Sequence, residues 1–444
     1  MNLSFRYFKN NHTIFQSRYA FLKGISGTTF IILAGKGFSY LFQLTLTYKF
    51  GALVAGIFTI WFTSINILSF LSRWGLDVLA VQLIPKYKSS LNKQWFIVNS
   101  IATLSLKITS GLIIIWLIVS PWVATNFFHN PSLVIPFKYS AILLIPFNFL
   151  FLSAGIHRGF NSYYSFAFIQ HFLLHFFSFT FLIIGIRVLF SETSFLSPIN
   201  AFAAGIVLTA ILGVGLLFHQ FPRGVSIQPT NDNLFKSGIP FALSNIAFFL
   251  LNWMDVLLVA YFLTEVDVGI FNLIMRVALI VSLPILGINS VLGPRISDAF
   301  FSKSTQRLKK LFFFSCFTGT LTSLPIYIGL WISHPLILNY FGSEFNSAAT
   351  PFLILAAAQF FHSATGSAGL SLQMMNHAKD FQNILFIVVI IKLVCGTFLI
   401  SEYGLYGATL NVLIAVIIWK TATCITLINR YKSFCKKVEV SENG

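Results

Sequence analysis

The 444-residue chain is 56% hydrophobic and only 9% charged, where a soluble domain carries about 25% charged residues. This excludes a soluble globular enzyme. The net charge of +17 would suggest nucleic acid on a soluble protein. Here the basic residues sort by loop, so they are read as orienting the chain in a membrane, with no nucleic-acid partner.

Apolar runs of about twenty residues recur along the chain, each long enough to span a bilayer as a helix. Lipid leaves only helices or closed barrels as spanning structures. Barrel strands would alternate apolar and polar residues, whereas runs such as Leu385–Ile391 are apolar on every face. The pattern therefore predicts an all-α polytopic membrane protein. Its twelve spans fall near 25–48, 54–83, 96–120, 137–156, 164–188, 200–218, 238–262, 268–293, 311–332, 351–371, 383–400 and 406–428. The first 23 residues are polar and basic, and the first apolar run is too long for the core of a cleaved signal peptide. Cys316, Cys395 and Cys424 fall in apolar helices and Cys435 in the tail, which implies no disulfide framework.

Lys and Arg concentrate in alternate loops. They include Lys86, Lys88 and Lys93 after the second span, Arg223 and Lys236 after the sixth, and Lys303, Arg307, Lys309 and Lys310 after the eighth. The N-terminal segment and the tail are basic as well. The opposite loops hold Lys49 and carboxylates such as Glu192, Glu265, Asp267, Glu344 and Glu402. The asymmetry places both termini in the cytoplasm and makes the number of spans even.

An internal repeat is visible. Gly56-Ile57-Phe58 returns as Gly269-Ile270-Phe271, and Asn126-Phe127-Phe128 resembles Asn339-Tyr340-Phe341, both 213 residues on. Ser153-Ala154-Gly155-Ile156 returns as Ser367-Ala368-Gly369-Leu370 at almost the same offset. An offset of six spans preserves orientation, so the halves are parallel repeats about an axis along the membrane normal. The expected domains are a six-helix lobe over 1–218, a polar cytoplasmic linker over 219–237, a second six-helix lobe over 238–428 and a cytoplasmic tail over 429–444.

The chemistry-bearing residues are charges within spans: Lys36, Arg73, Asp77, Lys107, Asp255, Arg276, Lys392 and Lys420. Each costs about 2.5–3.5 kcal/mol at a helix centre on insertion scales, so together they face a wet interior or one another. Arg73 and Asp77 stand four residues apart, and an intrahelical ion pair is the equal alternative to a functional role. Lys420 snorkels inward on the equal alternative reading. The surplus of deep cations suits an anionic cargo such as a diphosphate. Asn66 and Asn272, with Gln43, Asn245, Asn252 and Asn289, would hydrogen-bond sugar hydroxyls or hold helices together. His171 and His175 share a helix face with no accompanying carboxylate, and no metal site is assigned. Gly35-Lys36-Gly37 lacks the spacing of a phosphate loop. Glu265 and Asp267 are read as a solvated loop.

The segments Gly51-Ala52-Leu53-Val54-Ala55-Gly56-Ile57-Phe58, Gly75-Leu76-Asp77, Asn252-Trp253-Met254-Asp255, Gly269-Ile270-Phe271-Asn272 and Phe341-Gly342-Ser343-Glu344-Phe345 carry a resemblance over nearly the whole chain. It is to the multidrug/oligosaccharidyl-lipid/polysaccharide exporter superfamily, and within it to Wzx-type O-antigen and polysaccharide flippases. The resemblance implies two six-helix lobes around a cavity lined by the first, second, seventh and eighth helices. Lys36, Arg73 and Arg276, with Asn66 and Asn272, would then be cargo contacts, and Asp77 or Asp255 would couple transport to H+ or Na+. The implied cargo is an undecaprenyl-diphosphate-linked oligosaccharide, moved to the outer leaflet of a bacterial cytoplasmic membrane without a resident cofactor. Implied partners are membrane lipid and the polysaccharide polymerase and chain-length proteins. Lipid II flippases of this superfamily carry two more helices and denser basic residues on the first two, which argues against lipid II as cargo. The rival readings are a drug exporter on the same fold and a membrane-embedded O-antigen polymerase or ligase.

Overall fold

A computed structural model describes residues 3–87, 89–188, 196–220, 229 and 232–443, and every regular element in them is helical. The helices are α1 (Leu3–Arg73), α2 (Leu76–Lys86), α3 (Leu91–Trp122), α4 (Val134–Gly159), α5 (Tyr163–Ala167), α6 (Leu174–Val188) and α7 (Leu196–Gln220). They continue with α8 (Leu234–Phe262), α9 (Glu265–Leu279), α10 (Leu283–Phe301), α11 (Thr305–Phe341), α12 (Ala349–Ala364), α13 (Ala368–Met374) and α14 (Ala378–Asn443). Among the described residues, eight helical stretches are long and apolar enough to cross a membrane.

Two of these stretches, Phe30–Lys86 and Ala378–Lys436, are 57 and 59 residues long. A straight helix of that length would run about 85 Å, nearly three hydrocarbon thicknesses. Each turns at a non-helical glycine, Gly51 (φ 76°, ψ 177°) in the first and Gly404 (φ 55°, ψ −133°) in the second. At Gly404 the chain folds back on itself. A Cβ at Gly407 would overlap the carbonyl of Leu399, and Asn411 Nδ2 donates to the Lys392 carbonyl at 3.1 Å. Each stretch therefore holds two spans, which together with α8 and α12 accounts for the twelve expected.

Packing groups residues 1–46 and 64–246 into one unit, and residues 47–63 and 247–444 into a second. The limb of α1 beginning at 47 thus packs with the C-terminal helices. The expected linker lies partly outside the described residues, as do Arg223 and Glu192.

Within the first unit, Asn148 on α4 accepts from Ser69 Oγ at 2.7 Å and donates to Thr109 Oγ1 at 2.9 Å and to Ser72 Oγ. This ties α1, α3 and α4 together where no hydrophobic force between helices operates. Each unit also has an apolar cluster toward one end. One is built on Leu79 and Leu83 of α2, the other on Leu292 and Ile296 of α10. These pairs stand 213 residues apart, so the repeat extends from sequence into packing.

Candidate functional site

The second unit contains a helix crossing that joins the two copies of the repeated motif. Beyond Gly51 the helix restarts, and the N–H of Ala52 is capped by Glu344 Oε1 at 2.9 Å. On the other copy, α9 begins with a capping box. Thr264 Oγ1 accepts from the Asp267 N–H at 3.3 Å, and Asp267 Oδ2 accepts from the Thr264 N–H at 3.1 Å. Asp267, expected in a solvated loop, is therefore a helix cap. The threonine three residues ahead of it was the missed signal.

The two helices meet backbone to backbone. A Cβ on Gly56 would overlap the carbonyl of Glu265, and one on Gly269 would overlap the carbonyl of Ala52. Positions 52 and 265, and 56 and 269, are repeat equivalents. The contact is thus reciprocal, as a local two-fold axis through the crossing requires. Thr59 and Asn272 are equivalents too, and they bond to each other: Asn272 Nδ2 donates to Thr59 Oγ1 at 2.5 Å. The Thr59 hydroxyl donates onward to the Ala55 carbonyl at 2.7 Å, so its lone pairs face Asn272. That turns Asn272 Oδ1 toward Arg276, whose Nε donates to it at 3.1 Å. The result is a half-buried guanidinium held by a neutral amide, with its plane set by a chain of oriented polar groups. Thr59 was not picked out in the sequence, although it lies one repeat length before Asn272.

The remaining site residues divide by unit. In the first, Arg73 and Asp77 do not share a continuous helix. Trp74 (φ 51°) and Gly75 (φ 69°) are left-handed and separate α1 from α2. Arg73 Nη1 reaches Asp77 Oδ2 at 3.1 Å across that break. The guanidinium lies 4.3 Å from the Phe151 ring centre and 4.7 Å from that of Phe70, and its Nε donates to the Ser69 carbonyl. Arg73 is 3% exposed and clamps the break. Asp77 Oδ1 is buried with no hydrogen-bond partner among the described residues. Lys36 is exposed on α1, beside a glycine, Gly35, that packs against the His171 backbone. Asn66 is half-buried in the same unit.

In the second unit, Asp255 on α8 is 2% exposed. Its Oδ2 lies 2.6 Å from Lys392 Nζ, and its Oδ1 accepts from Asn411 Nδ2 at 3.0 Å. The pair joins α8 to both limbs of α14. Both deep carboxylates are thus engaged by cations. Lys36, Lys107 and Lys420 have no carboxylate within ion-pair distance among the described residues.

Residues 21–300 match the family described as polysaccharide biosynthesis protein. The chain belongs to that family. Residues 240–399 also match the MatE family. A probable low-salt glycan biosynthesis flippase of Haloferax volcanii is 27% identical over 214 residues, which is 47% of this chain and 44% of that protein. The match thus spans less than half of that relative. An inward-closed structure of the lipid II flippase MurJ aligns over 94% of this chain and 91% of its own, with a TM-score of 0.73 and 15% identity. An inward-facing multidrug resistance MATE transporter of the MOP superfamily aligns over 93% and 99%, with a TM-score of 0.70 and 15% identity. The superfamily resemblance and the all-helical, multi-pass fold are borne out by these matches.

Proposed function

We propose that this protein is a flippase for a lipid-linked oligosaccharide, an undecaprenyl-diphosphate-linked O-antigen or capsule repeat unit. It takes the cargo from the inner to the outer leaflet of a bacterial cytoplasmic membrane by alternating access, and hands it to polymerase and chain-length proteins. The observation that carries this reading is the charge state of the spans. Asp77 and Asp255 are both ion-paired, while Arg276 is oriented by an amide. A site for cationic drugs needs an available carboxylate, and both deep carboxylates are taken up by cations of the chain. Membership of a polysaccharide biosynthesis family supports the same choice. Lys36 and Arg276 are the headgroup contacts, each worth up to about 4 kcal/mol at an effective dielectric of about 20. Coupling to H+ or Na+ runs through Asp77, whose Oδ1 has no hydrogen-bond partner among the described residues, rather than through the fully engaged Asp255.

The test measures surface polysaccharide beside membrane protein level. Lys36→Ala and Arg276→Ala each cripple export at normal abundance, and Lys36→Arg retains much of it. Arg276→Lys is intermediate, because the oriented planar fork is lost. Full export in the double Ala variant sinks the reading.

A further inference from the structure

In the first unit, α3 has one face fixed by polar contacts. Asn148 Nδ2 donates to Thr109 Oγ1, which donates onward to the Ser105 carbonyl at 2.6 Å. Trp116 Nε1 donates to the Phe137 carbonyl at 2.9 Å. Ser105 and Thr109 are both buried. Lys107 stands two residues from each, about half a turn around the helix at about 100° per residue. It therefore lies on the opposite face, and it is exposed. The same face carries Ile114 and Ile118, which are 62% and 74% exposed. A face so apolar meets lipid. Lys107, expected to face a wet interior or another charge, instead faces the bilayer.

Its depth makes that position costly. α3 has 32 residues, a length of about 48 Å at about 1.5 Å per residue. Lys107 sits at its midpoint, about 24 Å from either end. The hydrocarbon layer is about 30 Å thick, so water is about 15 Å away on either side. The four-carbon stem of a lysine falls well short of that distance, and snorkelling serves residues near helix ends. Within this chain no carboxylate lies within ion-pair distance of Lys107 among the described residues.

We propose that this face of α3 docks a transmembrane helix of a partner protein that carries an aspartate or glutamate at mid-bilayer depth, paired with Lys107. Charge complementarity selects the occupant, because ionisable residues in a bilayer pair with one another or face water. A second copy of the chain does not supply the anion. Asp77 and Asp255, the deep carboxylates of the spans, are both held by cations of their own chain. Ser110 and Gly111 lie exposed beside Lys107, and a Cβ added at Gly111 meets nothing within 4 Å. Small residues there let a second backbone come close. The inference does not depend on the cargo, because association is measured without transport.

The experiment uses the full-length protein, labelled with a fluorescent donor, in phosphatidylcholine liposomes. The probes are acceptor-labelled single-span peptides of leucine and alanine with a central Asp, Lys or Leu. Energy transfer reports association. The central-Asp peptide associates about tenfold more tightly than the central-Leu peptide, the size of an interhelical polar contact in a bilayer. Lys107→Met removes that difference, and Lys107→Glu transfers the preference to the central-Lys peptide. Gly111→Leu, which keeps the charge, weakens association of the Asp peptide. Lys138→Gln, an exposed cation on α4, leaves the preference unchanged. Equal association of the Asp and Leu peptides with the unmodified protein overturns the proposal regardless of how any variant folds. So does a preference that survives in Lys107→Met. Loss of the preference when phosphatidylglycerol is added to the liposomes assigns Lys107 to lipid phosphate and overturns it too.

Discussion

At the residue scale, neutral polar side chains decide what the charged ones do. Asn272 accepts from Arg276 Nε through its neutral amide oxygen. Asn272→Asp would place a carboxylate about 3 Å from the guanidinium, and the attraction of several kcal/mol at protein-like dielectric would compete with an anionic headgroup. Export is expected to fall more than tenfold at unchanged membrane abundance, whereas Asn272→Gln keeps partial export. Equal export in the aspartate variant would remove Arg276 from the cargo path. Asp255 and Lys392 behave differently. Removing one partner of a buried pair leaves an uncompensated charge, at a cost of about 3–5 kcal/mol, while replacing both with apolar residues is often tolerated. Asp255→Leu alone should therefore deplete the protein from the membrane. Asp255→Leu with Lys392→Met should restore both abundance and export. Abundance restored without export would make Asp255 the coupling carboxylate after all.

At the element scale, the crossing of the α1 limb with α9 depends on two glycines that let backbones touch. Overfilling a packed contact costs about 1–3 kcal/mol when side chains can shift. Here the obstacle is a carbonyl on each side, which cannot rotate away. Gly269→Val is expected to lower membrane protein level and thermal stability. Gly37→Val, where an added Cβ meets nothing within 4 Å, should leave both near wild type. The paired contrast separates a packing effect from a general intolerance of β-branched residues in these spans. The broken second span follows a similar logic. Gly75 is left-handed and abuts the backbone of Gly238 and Ala242, so the α1–α2 break is built in rather than a bend of a continuous helix.

At the scale of the whole molecule, the distribution of lysine and arginine sets orientation. Reporter fusions after Lys93, Lys310 and Lys437 are expected to read as cytoplasmic, and fusions near Asn130 and Glu344 as external. A tail that reads as external would overturn the even span count.

Much of the architecture was legible in the sequence. The bilayer imposes a span length and an apolar composition, so span number and fold class can be read locally. The repeat placed Gly56 and Gly269 at equivalent positions before any contact was known, and the family motifs drew attention to Asn272 and Asp255. Pairing was not legible in the same way. Asp255 and Lys392 are far apart in sequence, and only the packing of α8 against the folded-back limbs of α14 brings them within 2.6 Å. Arg73 and Asp77 looked like a helical pair by spacing, and only the left-handed residues between them show a helix break. Composition and periodicity report the solvent that each stretch of chain must meet, which determined the membrane protein, its spans and its repeat. The tertiary structure alone decided which charges pair and which polar groups orient them, because each of those states depends on side chains brought together by packing.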